Sequence, residues 1–230
     1  MSSHLNESRE VNRAAIGRRQ TMRLLVHLSM LRPFATVVKY YSATSQASDF
    51  ENTYQLQEAY PYFLPIQTRW QDNDQYGHVN NIVYHGYFDT LINHYLIRYC
   101  GLNANRQTSS MVGFIVSCKC SFHAPMMFPQ NPLAALGVER IGRSSVHYRV
   151  ALFKPRPDRI LLSLDYDLLS DGCYSGSPLL KGFETMACTT GRSIHVFVDA
   201  ASEKPKELPK HFRMQLEKIL LQPRAANLMF

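Results

Sequence analysis

Residues 81–99 constrain the fold more than any other stretch of this chain. Val83, Tyr84, Tyr87, Phe88, Leu91, Ile92, Tyr95, Leu96 and Tyr99 recur at steps of three and four, which predicts one helix of about five turns. Its apolar stripe is wide and aromatic, so it needs a broad surface to lie on, and a β-sheet supplies one. Asn80 or Asn81 is placed to cap the start and Gly101 to end it. Beyond the helix the chain reads as strands as far as residue 198. Phe114–Phe122 is one, and Leu133–Ile141 with Ser144–Phe153 form a pair joined at Gly142-Arg143. Arg159–Leu169 and Gly182–Val198 form a second pair across the Gly-, Ser- and Pro-rich loop 171–178. Ahead of the helix, Phe63–Trp70 is extended and alternates from Ile66 onward, and Phe212, Leu216, Ile219 and Leu220 mark a closing amphipathic helix. The expected architecture is therefore α+β, a long central helix wrapped by an antiparallel sheet of five or six strands. Edge strands of such a sheet stay open, and pairing with a second copy is the natural remedy.

Charge narrows the function classes. The chain carries a net +7, but residues 1–50 hold seven arginines and lysines against three acids, so more than half of the excess lies in the leading fifth. The remainder is mildly basic, which suits a polyphosphate ligand and argues against a nucleic-acid face of interleaved cations and aromatics. From Val11 through Ser48 there is no Asp or Glu. Arginines, serines and threonines among Leu, Val, Met and Phe fit an organellar transit peptide, so a mitochondrial address is expected, with a cytoplasmic one as the alternative. The division that follows is a basic leader over 1–48, a linker over 49–61 and a folded domain over 62–221. No apolar run reaches the ~18 residues of a membrane span. The best stretch, Leu24–Val38, is cut by His27, Arg32 and Pro33. The five cysteines are odd in number and form no C-x-x-C pair. Reduced thiols, no metal site and no cofactor are expected.

The segment Arg69-Trp70-Gln71-Asp72-Asn73-Asp74-Gln75-Tyr76-Gly77-His78-Val79-Asn80-Asn81, with Tyr84 and Tyr87-Phe88-Asp89 on the helix, carries the chemistry. Alone, a D-x-D pair before a helix is ordinary turn composition. The whole block, however, resembles the hotdog-fold acyl-CoA thioesterases of the 4-hydroxybenzoyl-CoA thioesterase type. The likeness continues through Gly113–Ser117, Phe122-His123-Ala124-Pro125, Ile141–Ser145 and His195–Asp199, and so covers about residues 62–221.

That resemblance implies a hotdog fold and hydrolysis of an acyl-CoA to a carboxylic acid and CoA. It makes Asp74 the catalytic carboxylate, acting as nucleophile or as general base. A thioester is weakly resonance-stabilised and a thiolate leaves readily, so a carboxylate and an oxyanion donor suffice. The implied donor is the backbone N–H of Asn81 at the helix entry, where amides are unpaired and the dipole is positive. His78 either assists catalysis or holds the turn, whereas Asp72 is assigned to structure. Arg143 is placed by the resemblance near the CoA phosphates, ahead of Arg140 and Lys119, and Asn80 and Tyr84 are further candidates for substrate contact. The resemblance also implies a homodimer, or a dimer of dimers, with the site across the subunit interface. The competing reading is a non-catalytic acyl-CoA-binding or structural protein of the same fold.

Overall fold

The computed structural model describes residues 52–157 and 170–222. The expected strand over Arg159–Leu169 and the leader over 1–48 lie outside the described residues. The elements in chain order are β1 (Tyr62–Pro65), α1 (Val83–Arg98), β2 (Met111–Phe122), β3 (Leu133–Ile141), β4 (Ser145–Phe153), β5 (Cys173–Tyr174), β6 (Thr189–Asp199) and α2 (Lys210–Glu217). The six strands form one antiparallel sheet in the order β2-β6-β4-β3-β1-β5. This is the expected α+β architecture, with α1 laid on one face of the sheet.

The stripe of α1 accounts for that packing. Tyr84, Tyr87, Phe88, Leu91, Ile92, Tyr95 and Leu96 are buried against inward residues such as Leu64, Leu136, Tyr148, Val150 and Phe197. Each such side chain contributes about 1.5–3 kcal/mol through burial. The helix packs tightly on the sheet at Gly191, where a Cβ would sit 2.9 Å from the Phe88 ring and 2.8 Å from the Lys119 carbonyl. The opposite face of the sheet carries a second core, in which Phe63, Leu133, Ala135, Ala151 and Phe153 are covered by Tyr54, Tyr60 and Phe183. Residues 52–60, read as part of a linker, thus lie on the sheet with Tyr54 and Tyr60 buried.

Two strand expectations need correcting. The strand placed over Phe63–Trp70 is confined to Tyr62–Pro65, and Trp70–Asp72 is a 3-10 turn. From Ile66 onward, bonds to the 130–132 segment replace the ladder: Ile66 N–H to Pro132 O, and Thr68 Oγ1 to Gln130 O. Asp72 then folds back on the Arg69 N–H at 2.7 Å and closes the turn. Likewise Gly182–Val198 is a strand only over Thr189–Asp199. Pro178 opens a 3-10 turn that runs to Gly182, and Phe183 and Met186 make only isolated bridges, to Pro155 and Leu56.

β2 forms one outer edge of the sheet and has a ladder partner on one side only among the described residues, β6. Phe114, Ile115 and Val116, three consecutive residues, are 43, 48 and 59% exposed. The register of β2 against β6 shifts between Ile115 and Ser117, which breaks the alternation of faces there and leaves this stretch of the edge strand exposed.

Candidate functional site

The segment 69–82 folds into a compact loop at the end of the sheet where β1 finishes and β3 begins. Local chemistry shapes it. Gly77 takes φ +79°, and its N–H bonds the Asp74 carbonyl at 3.0 Å. The Asp74 N–H donates to the His78 carbonyl at 2.8 Å, so residues 74–78 close on themselves. Asp74 Oδ1 accepts the Tyr76 N–H at 2.8 Å and, at a longer 3.4 Å, the His78 N–H. Its second oxygen, Oδ2, accepts no hydrogen bond among the described residues, and the side chain is half-buried. The result is a carboxylate held by one oxygen with the other uncommitted.

Asp72 faces the opposite way. It is buried, its Oδ2 accepts both the Arg69 N–H at 2.7 Å and the Tyr87 hydroxyl at 2.6 Å, and its carbonyl accepts the Asn80 N–H at 2.8 Å. Burial, with the bond to Asp72 next in importance, keeps the Tyr87 phenol protonated far beyond its ordinary range. Further ties reach from the loop to the β2–β3 connection: Val79 N–H to Met126 O at 2.8 Å and Phe128 N–H to Asn73 Oδ1 at 3.1 Å.

The helix entry differs slightly from expectation. Asn80 Oδ1 accepts the Ile82 N–H at 3.1 Å and its carbonyl accepts the Val83 N–H at 2.9 Å, so Asn80 closes a turn just ahead of α1 rather than capping its first amides. The amides of Asn80, Ile82 and Val83 are committed by these bonds, whereas that of Asn81 has no acceptor among the described residues. An uncommitted N–H at a helix entry and an uncommitted carboxylate oxygen thus belong to one loop. An electrophilic carbonyl placed between such groups would be polarised on one side and attacked, or supplied with activated water, on the other.

The other candidates divide. The His78 ring is half-buried and makes no hydrogen bond among the described residues. Tyr84 is buried beside Phe122 (ring centroids 5.2 Å) and Tyr87 (6.3 Å), and burial pushes its phenol up to about 12. Around the loop Trp70, Tyr76 and Ile82 stand 78, 76 and 75% exposed. Arg143 is not brought to this place. It is exposed in the β3–β4 turn, at the far end of the nine-residue β3 from the segment that anchors the loop. The separation is on the order of 30 Å along the strand. Two surface cavities, of about 350 and 450 Å³, lie elsewhere, against Cys100, Met111 and Phe212 and against Leu56, Phe63 and Leu180.

Sequence reasoning missed one pairing of reactive groups. His85 Nδ1, on the first turn of α1, lies 2.9 Å from Cys118 Sγ on β2. Burial and then the nearby Asp89 raise the Cys118 thiol, so it stays protonated beside the imidazole. No spacing signal could have joined residues 33 positions apart. Among the described residues no three His, Cys, Asp or Glu side chains form a group able to hold a metal, and no helix is long and apolar enough to cross a membrane.

Comparison with known proteins agrees with the fold. Residues 68–216 match the family model of the thioesterase-like superfamily. A search of curated proteins gives no match. Among solved structures, the PA5185 protein of Pseudomonas aeruginosa PAO1 is 38% identical over 73% of this chain and 96% of its own, with a TM-score of 0.57. A Bacillus stearothermophilus protein predicted to be a thioesterase is 20% identical, over 71% and 98% of the two chains, with a TM-score of 0.52. A hypothetical protein of Aquifex aeolicus is 16% identical, over 68% and 99%, with a TM-score of 0.51. The last two likenesses establish the fold alone.

Proposed function

The chain belongs to the thioesterase-like superfamily, and from that premise we propose that it hydrolyses acyl-CoA thioesters with Asp74 as nucleophile or general base. The observation that carries this reading is the presence in one loop of an Asp74 Oδ2 and an Asn81 N–H that are both uncommitted among the described residues. The carboxylate attacks the thioester carbonyl or takes a proton from water. The Asn81 amide, at the positive end of α1, stabilises the oxyanion, and CoA thiolate leaves. His78, with an unengaged ring in the same turn, orients water or the carbonyl. Asn80, exposed at the helix entry, shapes the entrance, Tyr84, buried in the single chain, supports it from within, and the reaction is of the 4-hydroxybenzoyl-CoA thioesterase type.

The position of Arg143 bears on assembly. It is too far from Asp74 of its own chain for one CoA to meet both in a short span. A two-fold axis normal to the sheet would pair the open edge of β2 with its copy in antiparallel fashion. That arrangement carries the β3–β4 turn of one copy toward the Asp74 loop of the other. The site is then a property of the homodimer, or of a dimer of dimers, with Arg143 of the partner subunit at the CoA phosphates. The apolar residues exposed on β2, and Ile82 at the helix entry, are suited to that seam. The basic leader over residues 1–48 serves mitochondrial import in this reading, which a fluorescent fusion of those residues tests by its location.

The decisive experiment is release of free thiol from a panel of short, medium, long and aromatic acyl-CoAs. Turnover on some member that Asp74→Asn abolishes, with the assembly intact, is the expected result. Silence across the panel with CoA binding retained would leave a non-catalytic binding protein. Mixing Asp74→Asn and Arg143→Ala chains separates cis from trans. A trans site restores the wild-type KM in mixed dimers, whereas a cis arrangement leaves every active site with the raised KM.

A further inference from the structure

One bond at the site has no part in the chemistry just described: Tyr87 Oη to Asp72 Oδ2 at 2.6 Å. We propose that Tyr87 is a positioning residue that fixes Asp74 relative to the Asn81 amide. The inference rests on the catalytic reading of Asp74.

Three features carry it. The loop reaches the β2–β3 connection through Val79 and Asn73, and both of those bonds use backbone groups of Met126 and Phe128. The Tyr87–Asp72 bond instead ties the loop to α1, the element whose entry presents the Asn81 N–H. It therefore couples the two groups that must face one carbonyl. Secondly, Asp72 Oδ2 also takes the Arg69 N–H at 2.7 Å while the Asp72 carbonyl takes the Asn80 N–H at 2.8 Å. One residue thus gathers the start of the loop, its end and the helix, and Asp74 lies between those ties. Thirdly, Tyr87 and Asp72 are both buried, at 7% exposure each, so water cannot replace a lost partner without opening the loop. The same bond keeps the Asp72 carboxylate turned inward, leaving Asp74 as the acid that faces outward.

Misplacement of reacting groups by about 1 Å can cost two orders of magnitude in rate. Tyr87→Phe keeps the ring and removes only the hydroxyl. It is expected to lower kcat about 10- to 100-fold while KM for the best acyl-CoA changes less than about threefold. A merely structural role would instead lower the melting temperature with kcat per folded molecule unchanged, and that result overturns the proposal. Should Tyr87→Phe fail to fold, the pair Asp72→Asn and Asp72→Ala decides. Asn retains an acceptor for the Tyr87 hydroxyl and should hold kcat within about fivefold of wild type, whereas Ala should reproduce the Tyr87→Phe loss. Equal kcat in the two variants would overturn the proposal. Asp74→Asn is assayed alongside. If it stays active, the catalytic reading itself fails. If it is dead while Tyr87→Phe and Asp72→Ala turn over normally, only the positioning role fails.

Discussion

At one end of the sheet Asp74 sits in an open turn with one carboxylate oxygen bonded and one uncommitted. Toward the other end, His195 on β6 lies between Tyr148 and Phe197, 2% exposed, and its Nε2 has no hydrogen-bond partner among the described residues. Both are titratable groups, yet the first is half-buried in an open turn and the second is enclosed by aromatic rings. Burial pushes the His195 imidazole down to about 4, because its charged form would enter an apolar layer closed by Phe212 of α2. The contrast shows how one core divides its polar groups. A group with a spare lone pair and access can do chemistry, whereas an enclosed group only makes stability depend on pH.

The largest expected effect tests the open end. Asp74→Asn should lower kcat by about 10²–10⁴-fold with little change in melting temperature, since the Asn oxygen can still accept the Tyr76 N–H. Steady-state kinetics beside calorimetry checks this, and a variant as active as wild type would erase the distinction between the ends. Next comes the closed end. The folded pKa of His195 lies below its unfolded value of 6.5, so the unfolded chain binds the extra proton first. Stability is full above pH 6.5 and is lost progressively as pH falls toward 4. The loss amounts to roughly 3 kcal/mol once both states are protonated. Urea unfolding across that range should show the loss, and His195→Leu should flatten it; an unaltered slope in the variant would place the titration on another group.

A smaller effect probes the ground between the ends, where α1 touches the sheet. Gly191→Ala forces a methyl against Phe88 and the Lys119 carbonyl and should cost about 1–3 kcal/mol, seen as a lower denaturation midpoint. The smallest concerns Cys118 near the entry of α1. Its thiol is exposed in the single chain but held protonated, and the proposed pairing of β2 would shield it further, so alkylation at pH 7.5 should be slower than for a free cysteine. It should still precede that of the buried Cys100 and Cys188. Peptide mass spectrometry gives the order, and faster labelling of either buried thiol would contradict the burial described.

Legibility followed the range of the interactions. The stripe from Val83 to Leu96 announced α1 to within two residues at its start, because helical packing repeats every three or four positions. β3 and β4 were equally plain from Leu133 to Phe153. By contrast the alternation after Ile66 imitated a strand, and only the bonds from Ile66 and Thr68 to the 130–132 segment show why the ladder stops at Pro65. The Phe183–Cys188 stretch was misread for a similar reason, since its partners lie on residues 52–57 and 152–155. The turn at Asp74–His78 was readable from Gly77 and its acids, but the separate fates of Asp72 and Asp74 depend on Tyr87, fifteen positions on.

By itself the sequence determined a long aromatic helix on an antiparallel sheet, a glycine-closed acidic turn before that helix and membership of a thioesterase-like superfamily. Each of these rests on local periodicity, local turn chemistry or a block of adjacent residues. Only the tertiary structure decided which acid is buried and which is half-exposed, which amide is left without a partner among the described residues, and that Arg143 lies at the opposite end of β3 from Asp74. Those outcomes depend on contacts between residues distant along the chain and on where each strand ends, and neither is encoded in the spacing of a single segment.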